Sequence, residues 1–267
     1  MGGKQVPDSW KHGSSYEQYV GRWSRRVAPV FLSWLSIPTG RRWLDVGCGT
    51  GALCAAIADH CAPSSVAGVE PSEGFLTAAK ENLAGRAMLH QGSATAIPLD
   101  DAAVDVVVSG LVLNFIPDQR AALAEMIRVT SSGGTIGAYV WDYAGKMELM
   151  QYFWEAAVEL DPDAAELDEG IRFPVCRAEA LVALFTSAGL HRPEATAINI
   201  STSFASFEDY WQPFLGGQGS APAYAMSLDE TTRVRLRDRI RARLPVQADG
   251  SISLTARAWA VRAVVAK

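Results

Sequence analysis

The sequence predicts an α/β fold in which helices wrap both faces of a largely parallel, doubly wound sheet. Three observations predict it. Short apolar runs of strand length recur at residues 43–46, 66–69, 87–91, 104–109 and 135–141. Between them, apolar residues step by three and four, the spacing of amphipathic helices. Residues Val104, Val106, Val107 and Val108 make the fourth run almost continuously apolar, as a strand covered on both faces requires. Strands and helices alternating across short connections imply ligand sites along the carboxyl edge of the sheet. At 267 residues the chain has room for one large domain with insertions.

Lys and Arg total 24 against 29 Asp and Glu, a formal net charge of −5. That balance lacks the basic excess that nucleic-acid binding demands, so no nucleic-acid partner is expected. Cys48, Cys54, Cys61 and Cys176 form no C-x-x-C pair, and neither a disulfide nor a metal site is expected. Cys54 and Cys61 lie on a predicted helix, where apolar packing accounts for them. The N-terminal residues have no apolar core of the signal-peptide kind, and no run reaches the ~18–20 apolar residues of a membrane span. A soluble, cytoplasmic protein is the expectation.

Taken in order, the opening dozen residues are mostly polar. From 15 to 35, Tyr16, Tyr19, Val20, Trp23, Val27, Val30, Phe31 and Trp34 step at helical spacing, with Pro29 as the point of a bend. Trp43, Leu44 and Val46 form a strand that stops at Gly47, Gly49 and Gly51, after which Leu53, Ala56 and Ile57 predict a helix. Glycines in such a turn let backbone approach a ligand and take positive φ cheaply. Helix amides with no intrahelical partner then point at whatever sits there. Gly47, Gly49 and Ala52 also satisfy a dinucleotide-binding pattern, but Asp45 at the strand end would repel a pyrophosphate and attract an ammonium. Glu70 ends the next strand, where a ribose diol could donate to it.

Asp45-Val46-Gly47-Cys48-Gly49-Thr50-Gly51, followed by Gly68-Val69-Glu70-Pro71-Ser72, resembles the first two motifs of class I S-adenosylmethionine (SAM) dependent methyltransferases. The likeness is greatest to the small-molecule group typified by the ubiquinone and menaquinone biosynthesis C-methyltransferases, and runs from about Tyr16 to Trp141. It is specific for the cofactor and nearly uninformative about the methyl acceptor. It implies a Rossmann-like sheet of seven strands in the order 3-2-1-4-5-7-6, the last antiparallel, with helical lid insertions. It also implies SAM as cofactor, with Asp45 and the backbone of Gly47, Cys48, Gly49 and Gly51 at the methionine end. Glu70 would take the ribose, Pro71 and Ser72 would border the adenine, and Gly92, Ser93 and Ala94 would form the adenine loop. Ser93 stands where the family usually has Asp. Ser109 and Leu111 would line the methionine side. In the family an N-terminal helix covers the cofactor, which makes Tyr19 and Trp23 candidates, since aromatic faces attract a cation by ~0.5–2 kcal/mol; packing on the sheet is the other reading of the same stripe.

Further along, Ser72 is read as the cap of a helix carrying Leu76, Ala79 and Leu83, and Asp118 as the cap of one burying Leu123, Met126 and Ile127. The loop after the fourth strand, where the family often carries histidines, has Asn114 and Phe115 and so offers no imidazole base. Residues 131–134, Ser-Ser-Gly-Gly, are read as a turn before the fifth strand. A helix spans 147–160, an irregular acidic stretch 162–174, and a helix 177–188 that stops at Gly189. Residues 191–202 and 251–266 are β-like. Between them Phe207, Tyr210, Trp211 and Phe214 mark an aromatic helix face, 216–222 a flexible loop, and Ser227 with Glu230 a capping box. The arginines alternating from Arg233 to Arg243 cannot share one helix face and are read as a solvated surface. The boundaries that follow are a helical cap at 1–40, a SAM-binding core at 41–142, its completion at 143–202, a helical lid at 203–250 and a final strand at 251–267.

Methyl transfer is an in-line displacement from an excellent leaving group, and positioning alone can supply up to ~7–11 kcal/mol of acceleration. No catalytic residue is therefore assigned. Acceptor contacts are expected from Tyr16, Asn114, Trp141, Tyr143, Arg172 and Trp211, which the fold brings to the carboxyl edge or to the lid. His12, His60, His90 and His191 form no metal or nucleophile constellation. The expected activity is methyl transfer from SAM to O or C of a small apolar or aromatic molecule. Two rivals stand beside it. A NAD-linked oxidoreductase fits the glycines but lacks a Tyr-x-x-x-Lys pair, since Lys146 follows Tyr143 by three positions. A non-catalytic SAM-binding protein is suggested only by Ser93 and the absent loop histidines.

Overall fold

The structure, a computed structural model, describes residues 17–217 and 219–266. Tyr16 lies outside them. Strands β1 (Arg42–Val46), β2 (Ser65–Glu70), β3 (Met88–Gln91), β4 (Val104–Gly110), β5 (Thr130–Trp141), β6 (His191–Phe204) and β7 (Ile252–Val264) form one sheet in the order β3-β2-β1-β4-β5-β7-β6. β1 to β5 pair in parallel and β7 runs antiparallel to β5, as the motif resemblance implies. Their carboxyl ends therefore share one edge of the sheet, which is what a single ligand site needs.

Contacts along the chain divide it into two units. One consists of Ser24–Trp141, Val175–Ile198 and Ala258–Lys267. In it the apolar runs become central strands, with Leu44, Val46, Val69, Val107 and Val108 fully buried. Helices α1 (Arg22–Leu35, its first two residues in the other unit), α2 (Ala52–His60), α3 (Glu73–Leu83) and α4 (Gln119–Val129) pack their apolar faces on this core. Ser72 caps α3 by accepting from Phe75 N, and Asp118 caps α4 by accepting from Ala121 N. Ile127 is only half-buried; α4 turns Ala122, Leu123, Met126 and Val129 inward instead.

Residues 131–134 are not a turn but part of β5. Val104 pairs with Thr130 and Val106 with Thr135, so three extra residues swing out of the ladder with β4. Their backbone is used on the other side, where Gly133 N donates to Val265 O and Val265 N to Gly134 O. The glycines thus let an excursion join the antiparallel neighbour, which a turn signal alone does not distinguish.

The other unit consists of Met1–Trp23, Asp142–Pro174 and Asn199–Arg257. It begins, within the described residues, with a π-helical turn at Glu17–Gly21 where a continuous α-helix was expected. It holds α5 (Glu148–Leu160), α6 (Glu169–Arg172), α8 (Phe207–Trp211), α9 (Ser220–Ser227) and α10 (Glu230–Arg243), while α7 (Ala178–Ser187) belongs to the sheet unit. The stretch read as irregular is helical because two aspartates start it: Asp161 caps a 3-10 segment at Pro162–Leu167 and Asp168 caps α6. The supposed flexible loop ends at Ser220, where α9 begins with Pro222 in its first turn. The last cap is Asp229, accepting from Thr232 N, and not a Ser227–Glu230 box; Ser227 closes α9. Phe207, Tyr210, Trp211 and Phe214 are all buried, with ring contacts from Phe207 to Tyr210, Tyr210 to Phe214 and Trp211 to Phe214. Arg239 and Arg243 pair with Glu159 of α5, and the other arginines of α10 are spread around it. Among the described residues no helix is long and apolar enough to cross a membrane.

Candidate functional site

Two carboxylates stand at neighbouring strand ends of the sheet unit. Asp45 is the penultimate residue of β1 and Glu70 the last of β2. The turn after β1 is tied to β2 by two bonds to one carbonyl, from Gly47 N at 2.8 Å and Cys48 N at 3.1 Å to Val69 O. Gly47 takes φ +74, and a Cβ there would stand 2.6 Å from Val112 Cγ1. Gly49 takes φ +55 with nothing within 4 Å of where its Cβ would be. The turn is therefore tight on one side and open on the other. α2 begins at Gly51 with no side chain capping its amides, so its positive end is available to a ligand.

Glu70 is buried, and both oxygens are held by backbone: Oε2 accepts from Gly49 N at 3.1 Å and Oε1 from Ser72 N at 3.0 Å. Burial raises its pKa, and the two amides oppose the rise. A carboxylate accepts about four hydrogen bonds, so capacity for two hydroxyls is left. Asp45 is 1% exposed. Its Oδ2 accepts from Cys54 Sγ at 3.4 Å, while Oδ1 has no partner among the described residues. Burial pushes its pKa up to about 7, with the Cys54 thiol pulling down and the Glu70 charge adding to the rise. Cys54 is thus more than apolar packing: it is the donor that orients Asp45, which its sequence position nine residues on does not reveal.

At the next strand ends, Gly92 N donates to Glu70 O, and Ser93 Oγ accepts from Thr95 N within a local turn. Ser93 and Pro71 are exposed, Ala94 and Ser72 half-buried. Ser109 is fully buried, with its hydroxyl committed to Val46 O at 2.9 Å, clipping β4 to β1. Leu111 is buried at φ +62 and donates its N–H to Tyr139 O. Asn114 and Trp141 are buried at the ends of β4 and β5; neither the Asn114 amide nor Trp141 Nε1 has a partner among the described residues.

The remaining candidates belong to the other unit. Tyr19 is buried edge-on to Phe214 with no partner for its hydroxyl among the described residues, and Trp211 stacks on the same ring. Trp23 meets Phe204 edge-on, with the Arg22 guanidinium 4.4 Å from its ring centroid. Tyr143 contacts Phe173, and Arg172 lies over Phe173 while donating to Ser220 Oγ. Sequence reasoning missed Glu169 here, which is buried and accepts from Trp154 Nε1; only the Asp168 cap one residue earlier hints that it lies in a helix. Among the described residues no three His, Cys, Asp or Glu side chains are grouped to hold a metal.

The family described as "Methyltransferase domain" matches residues 44–137. The demethylmenaquinone methyltransferase of Staphylococcus aureus is 34% identical over 125 residues, 46% of this chain and 50% of the relative. The chain thus spans about half the length of the curated relatives it matches. Phosphoethanolamine N-methyltransferase 2 of Haemonchus contortus, solved with S-adenosyl-L-methionine, superposes with a TM-score of 0.59 at 15% identity, covering 95% of this chain and 56% of that one. The [4+2]-cyclase SpnF superposes with a TM-score of 0.53 at 16% identity, covering 91% and 81%. At such identities the solved structures speak to fold alone. Residues 44–137 thus match the methyltransferase domain family, and the chain has the seven-stranded class I methyltransferase fold.

Proposed function

We propose that this chain transfers a methyl group from SAM to O or C of a small apolar or aromatic molecule. One observation carries the reading: a buried carboxylate, Asp45, keeps an oxygen without a partner among the described residues beside a glycine turn that is open at Gly49. That pairing suits an ammonium and a thioether chain, and repels a pyrophosphate, which favours SAM over a dinucleotide. When bound, SAM supplies an electrophilic methyl group on a sulfonium. In this reading Asp45 holds the ammonium, and the backbone of Gly47, Cys48, Gly49 and Gly51 wraps the methionine chain. Glu70 takes the ribose hydroxyls, Pro71, Ser72, Gly92, Ser93 and Ala94 border the adenine, and Leu111 lies on the methionine side. Ser109 contributes by fixing β4 against β1. Asn114 and Trp141 of the sheet unit are assigned to the acceptor, while Tyr19 and Trp23 for the cofactor and Tyr16, Tyr143, Arg172 and Trp211 for the acceptor are kept as expectations from the sequence.

The net charge of −5 supports a small molecule over nucleic acid as acceptor. Calorimetry with SAM, S-adenosylhomocysteine and NAD tests the cofactor, and release of S-adenosylhomocysteine with candidate acceptors tests turnover. Micromolar binding of SAM without binding of NAD is the expected result. NAD binding without SAM binding refutes the reading, and SAM binding with no turnover on any acceptor favours a non-catalytic role.

A further inference from the structure

Asn114 sits in the three-residue 3-10 turn Leu113–Phe115 that follows β4. It is 6% exposed, and neither Nδ2 nor Oδ1 has a hydrogen-bond partner among the described residues. Leaving both halves of a primary amide unmet in a buried place is costly. The turn's backbone is held on both sides of Asn114. Leu111 N donates to Tyr139 O of β5 at 2.7 Å, Gln119 Nε2 donates to Leu113 O at 3.2 Å, and Val112 lies against Gly47 of the glycine turn. Leu111 is itself held at φ +62, a conformation that side chains with Cβ avoid. Strain and unmet polar capacity sharing one rigid turn mark a place built for something other than stability.

We propose that the Asn114 amide reads the methyl acceptor, and that the acceptor presents a hydroxyl beside a carbonyl, as in an enol or an aromatic hydroxy-ketone. The inference rests on the methyltransferase reading above. A primary amide offers one donor face and one acceptor face side by side in a plane. Its complement is a planar group whose carbonyl takes the Nδ2 hydrogen and whose hydroxyl donates to Oδ1. The match survives exchange of the amide nitrogen and oxygen. An ammonium would leave the Nδ2 hydrogens facing positive charge, a carboxylate would leave Oδ1 facing negative charge, and a plain phenol would satisfy one half only. On transfer the acceptor oxygen gains the new O–CH3 bond, the S–CH3 pair of electrons stays with sulfur, and the hydroxyl proton leaves to water, because an amide oxygen accepts a hydrogen bond without taking the proton. The methylated product can no longer donate to Oδ1, which favours its release.

The test compares wild type with Asn114→Leu, a change that keeps size and removes both polar atoms. Three readouts apply: thermal melting, calorimetry with S-adenosylhomocysteine, and binding of tropolone and of phenol at saturating S-adenosylhomocysteine. Asn114→Leu is expected to melt higher than wild type and to bind S-adenosylhomocysteine equally. Wild type is expected to bind tropolone about tenfold tighter than phenol, and Asn114→Leu to bind the two alike. A lower melting temperature for Asn114→Leu, equal binding of the two probes by wild type, a preference that survives the substitution, or no binding of either probe each overturns the inference. Wild type failing to bind S-adenosylhomocysteine overturns the methyltransferase reading beneath it, and the inference with it.

Discussion

The Cys54 thiol donates to Oδ2 of Asp45 across 3.4 Å, and Oδ1 of the same carboxylate is left without a partner among the described residues. A thiol is a weak donor, so it fixes the direction of the carboxylate without neutralising it. Burial dominates, and the group titrates near neutrality with its pKa at about 7.

That shift makes ligand binding pH-dependent. A ligand ammonium requires ionised Asp45, so affinity for S-adenosylhomocysteine should rise by about tenfold between pH 6 and 7.5, below the range where the ligand amine loses its proton. Stability moves the other way. The folded pKa exceeds the ordinary value of 3.8, so the folded state holds the extra proton between the two. The contribution is complete below about pH 4 and is lost as pH rises through about 7. Asp45→Asn should flatten both profiles, read by calorimetry and by urea titration from pH 5 to 8. A wild-type affinity constant across that range would count against the site.

Glu70 tests the glycine turn from the other side. Glu70→Gln replaces one carboxylate oxygen with an NH2 group that must face the N–H of Gly49 or Ser72. Loss of one charge-assisted bond should weaken S-adenosylhomocysteine roughly 10- to 100-fold by calorimetry, with a measurable fall in melting temperature. Unchanged affinity would show that Glu70 serves the turn and not the ligand.

Gly47 and Gly49 should separate folding from binding. Gly47→Ala meets Val112 at 2.6 Å and should destabilise the chain by about 2 kcal/mol or more. Gly49→Ala meets nothing within 4 Å and should cost only about 1 kcal/mol for its positive φ, yet lose S-adenosylhomocysteine binding because its methyl group fills the open side of the turn. Melting curves paired with calorimetry distinguish the two; tight binding by folded Gly49→Ala would contradict the assignment.

In the other unit, Arg257 bonds Asp142 through Nε at 2.6 Å, and the Asp142 side chain is 3% exposed. Arg257→Met should cost about 3–5 kcal/mol in urea denaturation by leaving a buried charge alone, and adding Asp142→Asn should recover most of it. Equal stability of the single and double variants would show that the pair is not coupled.

The sheet was legible because its signals are local. The run ending at Gly47 and the carboxylates Asp45 and Glu70 can be read within a few residues of the chain. What stayed hidden depends on residues far apart. Cys54 bonds Asp45 only because α2 folds back on β1, and the glycines at 133 and 134 join β5 only because β7 arrives beside them. The cap of the last helix was misread where one polar residue outcompeted another: Asp229, not Ser227, meets the free amide of Thr232, since a carboxylate next to the helix start is the stronger acceptor. Asn114 could be flagged from its loop, but its isolation is visible only in three dimensions.

β7 follows β6 in the chain yet lies between β5 and β6 in the sheet. During synthesis β6 therefore emerges with no hydrogen-bonding neighbour and waits for the residues of α8 to α10 and then β7 to be made. Closing that gap demands contacts of long sequence separation late in folding, a slow and aggregation-exposed step. A nascent chain halted between Phe204 and Ile252 should leave β6 open to protease while β1 to β5 are already protected.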